Sequence, residues 1–466
     1  MAVQPRRRTR RVTLVAAAAV VTLLAGACGS GGRGVPGAGT QQAGKLAVAP
    51  ACKHPGPADL DGGLPSEPDP SVKGTVTLWG WYNVAPKATL HLLAKYYPNV
   101  KVELVDYALT DTLSKLQTAL NAGSGAPDLA MVEDKSLPVV WNEGLYDVSP
   151  CIKPYKKDFP AFKWARITRS DGTLSAVPWE INPGIVTYRR DVFAKYGIDA
   201  KTIKTWDDFV RAGRKVTKKS GGAVKWTESN ITEPGNGTGQ VLNNLELMIN
   251  EQGGTLFDRK GNVTFDNPKT IKALKLLKSF RDQKISLNDV ASKQAELNAL
   301  RDGKVATFIT ESSSRFFLSS ALKDTSGKWG IMPLPAFTPG GGHGAVNGGT
   351  SIVMPAQGKN TEAAWAFLKI WLLTVEGRYQ SFKAGQLVEN LFLPAASDPR
   401  FQRPDPFYGG DKFLQVSIDA AKTAPPYPSG ATLPELSTSV IDQLPKFMSG
   451  ELSAETLAKN AAAAAR

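Results

Sequence analysis

The stretch "GTVTLWGWYNVAPKATLHLLAKYYPNVKVELVDY", residues 74–107, decides the fold class. Its opening segment alternates polar with apolar side chains and is rich in β-forming types, so it predicts a strand. From Leu90 to Tyr97 apolar side chains return at i, i+3, i+4 and i+7, which predicts one face of a helix that Pro98 ends. Residues 100–107 then predict a second strand.

The same alternation continues beyond residue 107. Residues 110–123 predict a helix with leucines on one side, and the short apolar run "DLAMV" at 128–132 predicts a buried strand. The order strand, helix, strand, helix, strand predicts a parallel sheet covered by helices, which is an α/β arrangement. Ligands of such sheets bind beyond the carboxyl ends of the strands, where loops begin near residues 79–83 and 133–135.

The length of the chain indicates more than one core. Folding is expected to begin near Lys73, which leaves about 390 residues, more than a single core usually holds. We therefore expect two lobes. Hydrophobic residues make up 42% of the chain and charged residues 21%, and both proportions are ordinary for a soluble globular body.

The N-terminal segment "MAVQPRRRTRRVTLVAAAAVVTLLAGAC" carries the pattern of an export signal, with five arginines before an uncharged apolar run over residues 12–25. That run is too short and too rich in alanine for a spanning helix, which needs roughly 20 strongly apolar residues. The stretch resembles a bacterial lipobox, although Ala25 stands where a leucine is usual. The resemblance implies a signal peptide over residues 1–27 and a lipid on Cys28.

Two features of this segment leave alternatives open. An ordinary secretory signal with an incidental cysteine also fits, and "TRRVTL" loosely resembles a twin-arginine signal, so the export route is not fixed. Downstream, residues 28–72 are rich in Gly, Pro, Ala and Gln and predict a flexible tether. Lipid and tether together predict a body held at the outer face of the cytoplasmic membrane.

The charge balance of the chain is basic. The net charge of +14 would fall by five, to +9, with removal of the arginines of the signal. No nucleic-acid motif is present and the lysines are spread singly over helical faces, so we expect no nucleic-acid partner. A basic solvated surface near an anionic membrane accounts for the charge.

The cysteines and histidines indicate a disulfide but no metal. With Cys28 lipidated, Cys52 and Cys151 remain, and export permits them to pair, although the sequence does not fix their distance. The three histidines stand at no ligand spacing to one another or to a cysteine. We therefore expect no metal and no cofactor.

Residues 74–465 resemble the extracytoplasmic solute-binding proteins of ABC importers, in the branch related to maltose-binding protein. The resemblance rests on the opening stretch and on further motifs in the same order, namely "LQTALNAGSGAPDLAMV", "LSAVPWEINPGIVTYRRDVFAKYGID", "LRDGKVATFITESSS", "IMPLPAF", "NGGTSIVMPAQGKNTEAAWAFLKIWL" and "LSAETLAKNAAAAA". It implies two α/β lobes that close over a ligand, a monomer, and delivery of a carbohydrate to ABC permease subunits.

The resemblance also implies a division of the chain between the lobes. Lobe I would comprise residues 73–180 and 336–390, and lobe II residues 181–335 and 391–466. The crossings between lobes would lie near residues 178–185, 332–337 and 390–396, where prolines stiffen extended backbone.

Sugar chemistry selects the candidate ligand-binding residues. Sugar hydroxyls need carboxylates, amides or arginines, and the apolar face of a ring needs an aromatic plane. The candidates stand in loops after predicted strands, at the crossings or in polar turns of the second lobe: Trp81, Tyr82, Asn83, Glu133, Asp134, Trp179, Glu180, Trp226, Glu228, Asn236, Glu311, Ser312, Asn347, Gly348 and Asn390. Trp179 on the cleft floor and Trp81 on its rim are the favoured ring platforms, with core packing as the alternative.

Two other functions remain as alternatives to a carbohydrate-binding protein without enzymatic activity. An exported glycan-processing enzyme needs only two carboxylates, so composition leaves it open, although no serine-hydrolase motif is present. A binder of a glycerophosphodiester or another phosphorylated solute fits the positive charge, although no convergent arginine cluster is visible.

Overall fold

A computed structural model describes residues 45–53, 62–81, 83–141, 144–229, 237–288, 292–384 and 392–466. The predicted signal peptide and the predicted lipid site at Cys28 lie outside these residues. Within the described ranges, no helix combines the length and apolar character needed to cross a bilayer.

The strands form one main sheet and one small ribbon. Their bounds are β1 Lys73–Gly80, β2 Asn99–Asp106, β3 Leu129–Glu133, β4 Ala176–Arg189, β5 Thr227–Glu228, β6 Ser286–Leu287, β7 Thr307–Glu311, β8 Trp329–Pro333 and β9 Val346–Val353. The main sheet has the order β2-β1-β3-β9-β4-β7, β8 also pairs with β4, and β5 pairs with β6. Because β1 is parallel to both β2 and β3, the predicted α/β class with a parallel sheet is confirmed.

Helices cover this sheet. The first are α1 Pro50–Lys53, α2 Val84–Ala88, α3 Leu90–Tyr96, α4 Leu109–Asn121, α5 Leu137–Val140, α6 Ser149–Ile152, α7 Ala161–Ile167, α8 Arg190–Tyr196, α9 Trp206–Lys219 and α10 Gly237–Glu251. They are followed by α11 Pro268–Asp282, α12 Lys293–Arg301, α13 Ser314–Ala321, α14 Thr361–Leu372, α15 Val375–Lys383, α16 Leu393–Ala396, α17 Phe413–Thr423, α18 Leu433–Ser449 and α19 Ala454–Ala464.

Strand β4 changes partners along its length. Its first half pairs with β9, and its second half, from Gly184, pairs with β7 and β8. The ladder with β9 shifts register beside Pro178 and again beside Pro183, because proline has no backbone N–H to donate. The first shift leaves Trp179 as an extra residue on β4, and the second leaves Asn347 as an extra residue on β9.

Two large apolar cores lie on either side of this change of partner. Core I draws its buried residues from 49–181 and 352–421, and core II draws its own from 186–345 and 427–465. A smaller cluster joins Ile185 on β4 to Trp329 on β8 and to Phe407. Strands β4 and β9 thus pass from one core to the other.

The distribution of the cores differs from the predicted lobe division at two places. The first predicted crossing lies where the chain leaves core I at Ile181 and enters core II at Val186. The segment 332–337 does not cross, because β8 pairs with the second half of β4, and the crossing falls in β9 instead. Phe392 belongs to core I although it was assigned to lobe II. Of the third predicted crossing, residues 390 and 391 lie outside the described residues.

The chain ahead of β1 packs on core I. Ala49 is fully buried and its N–H donates to the Asp147 carbonyl at 3.0 Å. Cys52 in α1 is joined by a disulfide to Cys151 in α6, with their Cα atoms 5.0 Å apart. Residues 45–53 therefore belong to the folded body, although they fall within the tether predicted over 28–72, because the average composition hid the apolar segment "LAVAPAC". Residues 28–44 and 54–61 lie outside the described residues.

Candidate functional site

A cavity of about 440 Å³ opens where β4 exchanges β9 for β7. The residues that line it are Trp81, Leu109, Glu133, Lys135, Trp179, Glu180, Asn182, Asn243, Thr310, Glu311, Ser313, Ser314, Phe316, Phe317, Asn347, Gly348, Thr350 and Ala384. Glu133 ends β3 and Trp81 follows β1, so the cavity lies beyond the carboxyl ends of parallel strands, as the sheet rule predicts.

The two register shifts aim side chains into the cavity. Trp179, the extra residue on β4, and Asn347, the extra residue on β9, both line it. Bulges commonly redirect side chains beside binding sites. The prolines at 178 and 183 therefore act on the site by breaking the ladder, in addition to stiffening the strand.

Amide groups on the cavity wall keep free acceptor capacity. Asn347 Nδ2 donates to the Asn243 carbonyl at 3.3 Å and to Glu311 Oε1 at 3.4 Å. Its Oδ1, like that of Asn182, is buried and finds no hydrogen-bond partner among the described residues. Buried polar atoms normally have partners, so these two oxygens are available to a ligand.

An ion pair beneath the cavity joins β4 to β9. The fully buried Lys163 on α7 pairs with Asp134 and donates to the carbonyls of Glu180 and Thr350, each at 2.9 Å. Ser351 Oγ donates to Asp134 at 2.6 Å. Burial lowers the pKa of Lys163, and the Asp134 carboxylate opposes that shift.

Glycine is required beside that ion pair. Gly349 has a φ of +140°, and a Cβ there would lie 2.7 Å from both the Asp134 carboxylate and the Glu180 carbonyl. Any larger residue would therefore displace the pair that supports the floor.

Among the described residues that line the cavity, three are glutamates and one is a lysine. Burial raises the pKa of Glu180 to about 7, although Thr350 Oγ1 donates to its carboxylate at 2.8 Å. Burial likewise raises the pKa of Glu311 to about 7. Burial disfavours the charged form of Lys135 and so lowers its pKa. The carboxylates of Glu246, Glu133 and Glu311 favour the charged form more strongly, and the net effect is a raised pKa. The site therefore holds more carboxylates than its one lining cation compensates.

Exposed apolar side chains gather at the cavity. Within the described ranges, the large apolar residues that remain exposed are Leu109 at 38%, Phe316 at 44% and Phe317 at 40%, and each of them lines the cavity. Leu109 begins α4, and both phenylalanines belong to α13. Exposed apolar patches of this kind mark binding surfaces.

The structure brings about half of the sequence candidates to the cavity. Those that line it are Trp81, Glu133, Trp179, Glu180, Glu311, Asn347 and Gly348. Those placed elsewhere and buried are Asn83, Asp134, Trp226, Glu228 and Ser312. Tyr82, Asn236 and Asn390 lie outside the described residues.

The candidates placed elsewhere have structural roles. Asn83 donates from Nδ2 to Asp106 at 2.8 Å, and Asp134 belongs to the ion pair under the floor. Ser312 is fully buried, and its N–H donates to the Pro183 carbonyl at 3.0 Å. Glu228 is 2% exposed within β5. These side chains are therefore not among the residues that line the cavity.

Trp226 is a core residue, whereas the sequence predicts that it contacts ligand from a polar turn of the second lobe. Its ring stacks on Phe193 at 5.0 Å and meets Phe209 edge-on at 5.3 Å. Gly213 makes room for it, since a Cβ there would lie 2.7 Å from the indole Cγ. Trp226 is fully buried in core II, and we remove it from the candidate site.

Trp179 is both a lining residue and a core residue. It is 1% exposed, its ring lies 5.3 Å from that of Trp371, and its carbonyl accepts a hydrogen bond from Arg378 at 2.6 Å. Its indole Nε1 finds no partner within the described ranges. Trp179 therefore combines the predicted position at the cavity with the alternative of core packing.

Sequence reasoning missed several lining residues. Phe316 and Phe317 look like core residues in sequence, because apolar side chains are buried by default. Asn243 lies inside α10, where no local pattern distinguishes it from other polar helix positions. Lys135 lies in the loop predicted after the third strand, near residues 133–135, so its position in the sequence carries a signal for the site.

Two cores joined by shared strands, with a cavity at the passage between them, define the class of two-lobe binding proteins. The sequence profile of the bacterial extracellular solute-binding proteins matches residues 93–384. The chain belongs to this family.

Named relatives and a solved structure agree with that membership. The arabinooligosaccharide-binding protein of Halalkalibacterium halodurans is 26% identical over 353 residues, covering 73% of this chain and 73% of that protein. The lactose-binding protein of Rhizobium radiobacter is 25% identical over 398 residues, covering 81% and 89% respectively. The GacH receptor of Streptomyces glaucescens, solved unliganded and with acarbose, has a TM-score of 0.67 at 23% identity and covers 84% of this chain and 97% of that one.

Proposed function

We propose that this protein captures a di- or oligosaccharide outside the cytoplasmic membrane and delivers it to the permease of an ABC importer. A lipid on Cys28 would anchor it to the outer face of that membrane. The observation that carries the proposal is the cavity, which combines exposed apolar side chains with carboxylates and with amide oxygens that have no hydrogen-bond partner in the described part of the chain. A saccharide offers the matching apolar ring faces and hydroxyl donors.

Each type of lining residue has a role in this proposal. Phe316, Phe317 and Trp81 supply aromatic surface against sugar rings. The carboxylates of Glu133 and Glu311 accept hydrogen bonds from hydroxyls. The names of the relatives support the same ligand class, because they describe binders of arabinooligosaccharides and lactose.

Capture would proceed by closure of the two lobes over the ligand. Glu133 comes from the core I side and Phe317 from α13, whose Leu318 is buried in the smaller cluster around Ile185, so one ligand that touches both favours the closed arrangement. A ligand shifts such an equilibrium only through its additional contacts in the closed state. Strands β4 and β9, which pass between the cores, would carry the bending.

The cavity disfavours a phosphorylated solute. Among the lining residues that the structure describes, a phosphate dianion would face three carboxylates and one ammonium, that of Lys135. Salt dependence distinguishes the two ligand classes, because binding driven by phosphate charge weakens steeply with ionic strength and neutral sugar binding barely changes.

The proposed protein is a binder without enzymatic activity. Paired carboxylates such as Glu180 and Glu311 also occur in glycosidases, so hydrolysis needs its own test. Incubation of the protein with oligosaccharides and chromatography of the products checks this point, and released monosaccharide would contradict the proposal.

A thermal-shift screen against a saccharide panel tests the proposed function. A ligand present at a hundredfold excess over its Kd stabilises the folded state by about 2.7 kcal/mol, which raises the melting temperature measurably. Phe317→Ala is the matched control. Its exposed ring contributes to the cavity and little to the core, so the variant should bind saccharide more weakly while its melting temperature without ligand stays close to that of the parent protein. Absence of a shift with every saccharide in the panel would overturn the proposal.

A further inference from the structure

Two segments of the chain besides β4 pass between the cores. Strand β9 runs from the core II side, where Ala345 precedes it, to Ile352 in core I. Further along, the chain leaves core I at Ala421 and enters core II at Tyr427, through a segment with two consecutive prolines. Residues 422–429 are termed the C-terminal crossing.

A buried asparagine holds both of these segments from the core II side. Asn250 lies near the end of α10, beside Ile249 of core II, and is fully buried. Its Oδ1 accepts a hydrogen bond from the N–H of Val346 at 2.8 Å, and its Nδ2 donates to the Pro425 carbonyl at 3.3 Å. One side chain therefore fixes the start of β9 and the C-terminal crossing to core II.

A buried arginine holds the same two segments from the core I side. Arg166 lies in α7, beside Ile167 of core I, and is 6% exposed. Its Nη1 donates to the Asn347 carbonyl at 3.5 Å, and its Nη2 donates to Ser429 Oγ at 3.4 Å. Its guanidinium carbon also lies 5.3 Å from the centre of the Tyr427 ring, which is a cation–π distance. Arg166 therefore joins α7 to residues that core II holds from the other side.

The two anchors differ in how well their polar atoms are satisfied. The bond from Val346 to Asn250 has an ordinary length, whereas both hydrogen bonds of Arg166 are longer than most N–H···O bonds. Within the described part of the chain, Arg166 Nε has no hydrogen-bond partner and no carboxylate forms an ion pair with the guanidinium. A buried cation is costly unless its partners are close. The long bonds of Arg166 are therefore the contacts that a small separation of the cores would break first.

Arg166 is connected to the cavity through Asn347. Asn347 lines the cavity and is the extra residue at the second register shift. Its carbonyl accepts from Arg166 on the core I side, and its side chain donates to the Asn243 carbonyl in α10. Arg166 itself is not among the described residues that line the cavity. Any effect of Arg166 on a ligand therefore acts through the position of β9.

We propose that Arg166 is a positioning residue, which holds β9 and the C-terminal crossing so that both cores contribute to one cavity. Its hydrogen bonds exist only while α7 lies close to these segments, so they stabilise the arrangement in which the cavity is assembled. Without them a smaller fraction of the protein is competent to bind, and the apparent affinity falls by the same factor. The inference rests on the proposed function only for the identity of the ligand.

Arg166→Met tests the inference by two measurements. Methionine keeps much of the aliphatic stem and deletes every N–H donor of the guanidinium. Small-angle X-ray scattering of the ligand-free protein should give a larger radius of gyration than that of the parent protein, because the cores separate more often. Titration calorimetry with arabinotriose and lactose as probes should give a Kd raised by about fivefold or more, as loss of hydrogen bonds from a charged donor predicts.

Arg169→Met is the matched control. Arg169 lies just after α7, is 2% exposed, donates to the carbonyl of Trp141 on core I and lies 3.7 Å from Asp171. Its replacement should lower the melting temperature and leave the radius of gyration and the Kd unchanged. Ser429→Ala deletes the hydroxyl acceptor of Arg166 at a half-buried position, and it should change both measurements in the same direction as Arg166→Met but by less.

Each outcome decides the inference. An unchanged radius of gyration or an unchanged Kd in folded Arg166→Met overturns it, and so do equal changes in Arg169→Met. If Arg166→Met does not fold, unchanged values in Ser429→Ala overturn it. A larger radius of gyration in Arg166→Met, together with no binding of any saccharide by the parent protein, supports this inference and overturns the proposed function.

Discussion

Replacement of Trp179 separates core packing from ligand contact. The indole is 1% exposed, lies 5.3 Å from the ring of Trp371 and lines the cavity. Trp179→Ala removes a buried ring, and such changes cost about 3–5 kcal/mol in the free protein. At about 2–4 °C per kcal/mol, the melting temperature should fall by about 6–20 °C.

Phe317 is the matched comparison. Its ring is 40% exposed, so Phe317→Ala should change the free energy of unfolding by no more than about 0.5 kcal/mol. Loss of a ring contact of about 1–3 kcal/mol should weaken saccharide binding by about fivefold to 150-fold. Trp179→Ala thus acts first on stability, and Phe317→Ala acts on affinity alone.

Differential scanning calorimetry without ligand and titration calorimetry with it measure the two effects. The reasoning is refuted if Trp179→Ala melts within 2 °C of the parent protein, because the indole would then not be part of core I. It is refuted equally if Phe317→Ala lowers the melting temperature as far as Trp179→Ala does.

Three further results are expected. Cys28→Ala should release the protein to the medium or leave it unprocessed, and a normally processed protein in the membrane fraction would contradict the lipid anchor. Non-reducing mass spectrometry should find Cys52 bonded to Cys151, with two free thiols as the contrary result, and Cys151→Ala should cost about 2–5 kcal/mol, since the bond closes a long loop. Burial raises the pKa of Glu251 to about 8 in the folded state, compared with about 4.5 in the unfolded state. Between these two pH values the folded state keeps a proton that the unfolded state has lost. The free energy of unfolding therefore falls as the pH rises from about 4.5 to 8. Thermal melts between pH 5 and 8 should therefore show a smaller decline in Glu251→Gln than in the parent protein, and equal declines would contradict this assignment.

The first part of the fold was predictable because its signals are local. Residues 74–133 alternate clear strand and helix patterns. Strands β2 and β3 lie within one residue of their predicted bounds, and β1 ends at Gly80, three residues before the end of the predicted strand over 74–83. The crossings between the lobes are harder to predict from sequence, because proline-rich extended segments have similar sequences whether or not they cross. Residues 332–337 resemble a crossing, but pairing between β8 and β4, which is a contact distant in sequence, keeps them beside core II.

The candidate site shows the same limit. Glu133 and Trp81 follow predicted strands, so the sheet rule located them correctly beside the cavity. Trp226 stands among polar residues in sequence, and only packing against Phe193 reveals it as a core residue. Phe317 is the opposite case. Its sequence pattern predicts a buried residue, since an apolar residue in a helix gives no local sign that it stays exposed.

The disulfide between Cys52 and Cys151 determines where mechanical tension enters the molecule. A pull on the chain ahead of residue 45 passes through α1 and the covalent bond into α6, and both cysteines are buried in core I. Neither β4 nor β9 belongs to the segments that this bond joins. Tension on the N-terminal end therefore enters core I through a covalent bond and not through the strands that pass between the cores.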